Sequence, residues 1–280
     1  MKIRAFVKQL SFVSWLGIGL LVVHVVMALA APWIAPYSPT AIDATQAMRP
    51  PSLQHWGGTD RYGRDIFSRV IYGGQIALVI SLTSAALAVV GGGLIGVYVA
   101  YSGGFIDDVI MRLIDALISI PSVLLLLVIV TAFGSGNGVI IAAMVVSYLP
   151  GVVRVVRATA LEYVPRDFIQ AARIRGEKTI HIVRDELWPN ILDVVFVEFA
   201  MNASWIVLAV SGLSFLGFGV NPPTPDWGLM VNENRAMLLL APWGILYPMG
   251  AVATLVIALN LVSDAIAKAL GLDRSRGVPV

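Results

Sequence analysis

Apolar residues gather along the chain into six blocks separated by polar or proline-rich stretches. A hydrocarbon core about 30 Å thick needs roughly 20 apolar residues in a helix to cross it, so each block predicts a crossing. The first runs from about Ser11 to Ala31, and the second, Ile76 to Tyr101, has no charged residue. The third, about Val109 to Phe133, carries Arg112 and Asp115 near its start and Pro121 inside. The fourth, Val139 to Val153, is short; it gains length by continuing to Val156 while Arg154 reaches toward the interface. The fifth, about Ile191 to Gly219, contains Glu198, and the sixth, about Trp243 to Leu270, contains Asp264. The pattern predicts an all-α polytopic membrane protein with six transmembrane helices.

Composition strengthens this reading. Of 280 residues, 58% are apolar and 13% charged, against about 25% charged in ordinary soluble domains. A net charge of +2 gives no support for nucleic-acid binding, and the absence of cysteine excludes a disulfide framework or a thiolate metal site. His24, His55 and His181 are far apart and show no metal-ligand spacing. Six crossings put both termini on one side. Placing them in the cytoplasm leaves fourteen of the nineteen Lys and Arg residues in or beside cytoplasmic segments, and Arg49, Arg61, Arg64, Arg69 and Arg235 outside. The positive-inside rule favours that orientation. Lys2, Arg4 and Lys8 followed by an apolar run ending in ALAAP at 28–32 also have the look of a cleavable signal peptide. The run is about 20 residues, longer than a usual signal core, so a retained first helix is expected.

The anomaly is DFIQAARIRGEKTIHIVRDELWPN at 167–190, where eight of 24 residues are charged. As a helix, Phe168, Ala171 and Ala172 share a face; after Gly176, so do Ile180, Val183 and Leu187. Pro189 is expected to close the segment. The stretch therefore predicts two short amphipathic helices joined at a glycine on the cytoplasmic side, with the small residues Ala171 and Ala172 giving one face a low profile. One reading is a helix pair resting on lipid headgroups. The balance of Asp167, Glu177, Asp185 and Glu186 against Arg173, Arg175, Lys178 and Arg184 suits a protein partner better than an anionic membrane.

Gln170-Ala171-Ala172, three residues, Gly176, then twelve residues to Pro189 resembles the EAA loop of ABC importer permeases. The resemblance implies a coupling helix that docks into a groove on a cytoplasmic ATPase subunit, with Gln170, Ala171, Ala172, Arg173, Gly176 and Pro189 as its coupling residues. Gln170 stands where the family usually has Glu, and Glu186 and Trp188 replace usual apolar positions. HWGGTDRYGRDIFSRVIYG at 55–73, GGFIDDVIMRLIDALISIP at 103–121, SFLGFGVNPPTPDWG at 214–228 and PWGILYP at 242–248 resemble the dipeptide/oligopeptide/nickel subgroup, in order along nearly the whole chain. The pattern is most similar to the C-type subunit of a permease pair. It implies a type I importer permease fold: a first helix plus outer segment over 1–72, a permease domain over 73–270, and a cytoplasmic tail at 271–280. It further implies a bacterial inner-membrane location, a homologous B-type permease, two ATPase subunits that bind the ATP and Mg, and an extracytoplasmic binding protein. Short peptides are the expected cargo, with nickel chelates or glutathione-like compounds as alternatives.

Other stretches leave alternatives open. Ile66, Phe67, Val70 and Ile71 share one face and Arg61, Arg64, Asp65 and Arg69 another; this suits an interfacial helix or a surface that meets the binding protein. Gly92-xxx-Gly96 in a charge-free span permits close helix packing. Gly212, Gly217 and Gly219, before Pro222 and Pro223, suit either a helix terminus or a hinged outer gate. Asp115, Glu198 and Asp264 lie within a few turns of expected cytoplasmic ends, where snorkelling or pairing with Arg112 or Lys268 accounts for them. No midplane chain of carboxylates favours a proton-coupled carrier. Neither GxxxxGK[ST] nor HExxH occurs, and Ser211 and Ser214 lack a nearby histidine in sequence. The chain is therefore expected not to be an enzyme. A stand-alone channel or carrier, or a membrane scaffold, remains as the rival.

Overall fold

The computed structural model describes residues 11–270. Lys2, Arg4 and Lys8, and the tail at 271–280 with Arg274 and Arg276, lie outside the described residues. Among the described residues the regular structure is helical, with one isolated bridge between Thr59 and Asp65. Helix α1 is Phe12–Leu29, started by Ser11, whose hydroxyl accepts from the Ser14 amide, and followed by the short α2, Ala31–Ile34. The long α3 is Ile66–Ser102, α4 is Gly104–Ile118, α5 is Ser122–Phe133 and α6 is Asn137–Tyr163. Then come α7, Asp167–Ile174, and α8, Thr179–His181, which passes through a π turn at Ile182–Leu187 into α9, Trp188–Phe215. Helices α10, Trp227–Asn234, and α11, Trp243–Ala269, complete the chain.

Five helical runs are long and apolar enough to cross a membrane, or six if the bent pair α4–α5 is one span. The third block is thus not a straight crossing. Helix α5 makes an angle of 86° with α4. Pro121 disfavours helix at Ile120, and the Ser119 hydroxyl donates to the Ala116 carbonyl at the end of α4. Arg112 and Asp115 belong to the amphipathic α4, while α5, with 12 residues, is only about 18 Å long. The second block also differs from expectation, because α3 starts ten residues earlier and absorbs the amphipathic stretch at 66–71.

Helix α3 is the centre of the bundle and packs along α6, α9, α1 and α11. Its small residues set the spacing. A methyl group on Gly92 would lie 3.0 Å from the Leu149 carbonyl oxygen, and one on Gly96 2.8 Å from that of Val153. Hydrocarbon provides no hydrophobic drive between helices, so such backbone proximity supplies association through van der Waals contact. On the neighbouring face of α3, Gly93 makes room for the Trp188 ring of α9.

At the end of the bundle away from α7, the charged face at 61–69 turns inward. Arg61 stays at the surface against Tyr62, but Arg64, Asp65 and Arg69 are buried. Arg64 Nε donates to Asp60 Oδ2 and Arg64 Nη2 to Glu233 Oε2 of α10, both at 2.6 Å. Arg69 donates to the same Glu233 oxygen at 3.2 Å and to the Pro39 carbonyl at 3.1 Å. Asp65 caps α3 through the Ser68 amide at 2.8 Å and bonds His55 Nδ1 at 2.8 Å. Neither a headgroup surface nor an open docking face is formed by these charges; Glu233, 164 residues from Arg69, closes them into a polar core. Trp227 and Trp243 fasten α10 and α11 onto it by donating to the carbonyls of Val70 at 2.8 Å and Thr59 at 3.0 Å.

Removing one partner of a buried ion cluster leaves an uncompensated charge, at a cost of about 3–5 kcal/mol. Glu233→Ala should therefore lower the thermal unfolding midpoint in detergent strongly, and Arg61→Ala should leave it nearly unchanged. At the α3–α6 contact, Gly96→Ala must push the helices apart and should cost about 1–3 kcal/mol. Gly91→Ala, which meets only the end of the Leu149 side chain at 3.4 Å, should be tolerated in the same assay.

Candidate functional site

The polar stretch forms a compact cap on one end of the bundle. Helix α7 ends in a complete Schellman turn: the Gly176 amide donates to the Arg173 carbonyl and the Glu177 amide to that of Ala172. Gly176 adopts φ +76° with open space around it. Two helices therefore meet at the glycine, but the second does not stop at Pro189. Pro189 lies in the first turn of α9, where a missing N–H is harmless, and the π turn at Ile182–Leu187 shifts the hydrogen-bond register just before it. The helical run from Thr179 to Phe215 is continuous and spans 37 residues.

The buried face differs from the one expected. Ile169 and Ala172 of α7, with Ile182, Val183 and Leu187 of the π turn, are buried against Val97 and Ala100 of α3, Val156 and Ala160 of α6, and Ile191 of α9. The small residue Ala172 thus faces the chain's own core, and Ala171 faces out. Beside it, Phe168, Ile174 and Ile180 are exposed, Ile174 to 87% and Ile180 to 62%. A helical pitch explains the split: Phe168 and Ile169 are about 100° apart around the helix axis, and the side with Ile169 wins the core. Ile169 and Ile182 are buried supports of the cap that the face assignment missed; their apolar character was the available signal.

The remaining residues of the EAA-like motif hold this cap together. Gln170 donates from Nε2 to the Val164 carbonyl at 2.9 Å, beyond the end of α6. An ionised Glu has no donor for this bond, so the departure from the family pattern has a structural use. Arg173 lies over the Tyr101 ring at 4.5 Å and donates to the Tyr101 carbonyl at 3.4 Å, at the end of α3. Much of the remaining charge pairs locally: Arg175 with Glu177 at 2.7 Å and Arg184 with Asp185 at 2.6 Å. Exposed pairs of this kind contribute little to stability, and they leave exposed apolar side chains as the distinctive outward feature. Trp188, another departure, fills the space over Gly93.

The three glycines near 212–219 have three different environments. Gly212 is inside α9 with open space around it. Gly217, φ +89°, ends α9 in a second Schellman turn through bonds to Ser214 and Leu213. Gly219 is packed so closely on Ser214 that a methyl group has no room. Nearby, Asp226 caps α10 by accepting from the Leu229 amide at 2.9 Å, and burial pushes its carboxyl pKa up. Two of the three membrane acids also have partners, while Asp264 is exposed. Arg154 donates to Asp115 at 2.5 Å and Asn202 to Glu198 at 3.0 Å. Asp115 therefore pairs with α6 and not with Arg112, a long-range contact with no local sequence signal.

Residues 92–275 match the family described as binding-protein-dependent transport system inner membrane component. Residues 13–51 match the N-terminal TM domain of oligopeptide transport permease C. A Brucella suis protein whose name assigns it provisionally to a peptide transport system as permease is 36% identical over 263 residues, covering 94% of this chain and 88% of that protein. The glutathione transport system permease protein GsiD of Escherichia coli is 37% identical over 247 residues, covering 88% of this chain and 82% of its own length. A helical bundle of five to six spans, a polar cap carrying the EAA-like sequence and a family match over most of its length together show that this chain belongs to the inner membrane components of binding-protein-dependent transport systems, the permeases of ABC importers.

Proposed function

We propose that the chain forms half of the translocation pathway of an ATP-driven importer of short peptides, glutathione-like peptides included, in the bacterial inner membrane. The other half is a homologous B-type permease; two ATPase subunits supply ATP hydrolysis with their own ATP and Mg; an extracytoplasmic binding protein delivers the cargo. Residues 164–190 lie in the cytoplasm and form the ATPase-docking element. The observation that carries this reading is the unbroken helical run from Thr179 to Phe215. One end of it belongs to the exposed apolar cap and the other reaches the opposite end of the bundle, beside α10. A push on the cap is therefore delivered along a rigid rod, which is what alternating access driven from the cytoplasm requires. The cap's outward Phe168, Ala171, Ile174 and Ile180 form the contact, and Ala172, Gly176 and Gln170 shape it from within. Peptide cargo is supported by the relatives' names and by the match to oligopeptide permease C over 13–51.

The chain has no native cysteine, so single engineered cysteines report unambiguously. Ile174→Cys and Ala171→Cys should crosslink to an ATPase subunit from the cytoplasmic side, and Ala172→Cys, buried in the cap, should react poorly. Labelling of the Ile174→Cys variant from outside intact cells would overturn the orientation, and peptide uptake by the chain without any ATPase would favour the channel or carrier. The Gly176 conformation gives a second test. A β-branched side chain at positive φ costs about 1–2 kcal/mol, whereas Asn tolerates it. Gly176→Val should lower ATP-driven uptake several-fold in inserted protein, with Gly176→Asn close to the parent.

A further inference from the structure

Glu198 is an acid inside the membrane with no counter-charge on its own chain. Two contacts fix its depth. Val195 of α9 lies against Gly93 of α3, about one turn in from Gly96, where the Arg157 backbone rests. On the other side Ser263 of α11 donates to the Val197 carbonyl at 3.5 Å, and Lys268 stands in the last turn of that helix. By either contact Glu198 lies about 9 Å farther into the bundle than the basic residue. Snorkelling, expected from the sequence, therefore does not account for it. Among the described residues no lysine or arginine pairs with it. Asn202, buried one turn on, donates to Glu198 Oε2 at 3.0 Å and to the Glu198 carbonyl at 2.8 Å. The carboxylate is thus held in position by a neutral group.

The Glu198 side chain is half-buried and borders an open face of α9. Met201 and Trp205 lie within about 60° of it around the helix axis and are exposed to 41% and 58%. Tyr148 of α6 steadies this face by donating to the Trp205 carbonyl at 3.4 Å. Acids in transmembrane segments face a bundle interior or a water-filled path, because hydrocarbon does not solvate them. In the assembled importer the open side of Glu198 therefore meets water or a charged ligand and not lipid tails. Glu198 and Trp205 are about 10 Å apart along the helix, the length of three extended residues. The face offers a carboxylate at one end, suited to an ammonium, and a thioether and an indole beyond it, suited to apolar side chains.

We propose that Glu198, oriented by Asn202, binds the α-ammonium of a short peptide in the translocation path, with the peptide's side chains laid against Met201 and Trp205. The inference deepens the proposed function and rests on it. The test uses the complete importer in lipid vesicles, supplied with its binding protein. Glu198→Gln keeps an acceptor for Asn202 and removes only the charge. It should lower ATP-driven uptake of a tripeptide with a free amino terminus about tenfold, the weight of one bond between charged groups. Uptake of the N-acetylated tripeptide should change less than about twofold. The binding protein is common to all four measurements, so its own preference cancels from the comparison. Glu198→Cys, the one cysteine in a chain that has none of its own, should react with water-soluble methanethiosulfonates, and more slowly during uptake of the free-amino tripeptide than without peptide. The anionic ethylsulfonate adduct should recover uptake and the cationic trimethylammonium adduct should not. A Gln variant that transports the free-amino tripeptide at the parent rate would overturn the proposal, as would equal losses for both peptides. So would a cysteine that no water-soluble reagent reaches, labelling that peptide does not slow, or recovery by the cationic adduct. Absence of ATP-driven peptide uptake in the unsubstituted importer would instead count against the proposed function.

Discussion

The close approach of α3 to α6 at Gly92 and Gly96 is the contact on which the cap end of the molecule depends. Between apolar helices in lipid, only short-range packing and polar bonds favour association, and both need backbones that can come near. Once α6 is seated there, Val156 and Ala160 line up with Val97 and Ala100 to make the apolar floor on which Ile169, Ala172, Ile182 and Leu187 rest. The same seating fixes Arg157, which bonds Asp107 of α4. The cap is thus a consequence of helix spacing in the middle of the bundle, and its shape is not set by its own sequence alone.

Continuity between cap and membrane comes from a local irregularity. A proline within a helix removes one backbone donor and crowds the preceding turn. Placing Pro189 in the first turn after a π turn avoids both problems and leaves the rod from Thr179 to Phe215 mechanically whole. Gly176 does the opposite job next door, ending α7 cleanly so that it can lie across the bundle. Stiff and jointed elements thus alternate along this part of the chain.

The far end is built on a different principle. There the chain is irregular over most of 35–65 and cannot satisfy its polar groups by helix formation. Asp60, Arg64, Asp65, Arg69 and Glu233 instead bond to one another, to backbone and to His55, and Trp227 and Trp243 bridge to carbonyls. The arrangement ties α10 and α11 to the start of α3. The rod α9 ends beside α10, so movements at the two faces of the bundle share a structural path.

Five of the six apolar blocks and the break at Gly176 were legible in the sequence, because each follows from the length and period of apolar runs and from local glycine chemistry. The resemblance of 167–189 to a coupling loop rests instead on a motif match, Gln170-Ala171-Ala172, Gly176 and Pro189 in order. Tertiary structure decided which face of each amphipathic piece is inside. Ala172 turns inward because Ile169, one residue from Phe168, is the side chain that meets α3 and α6. The charges at 61–69 turn inward because Glu233, distant in sequence, neutralises them. The bend at Pro121 replaces a straight crossing because helix is disfavoured before proline, and the direction of α4 is then marked by Asp107 and Asp115 meeting arginines on α6. Periodicity says that a helix has two faces; only the partners brought up by the fold determine which one is buried.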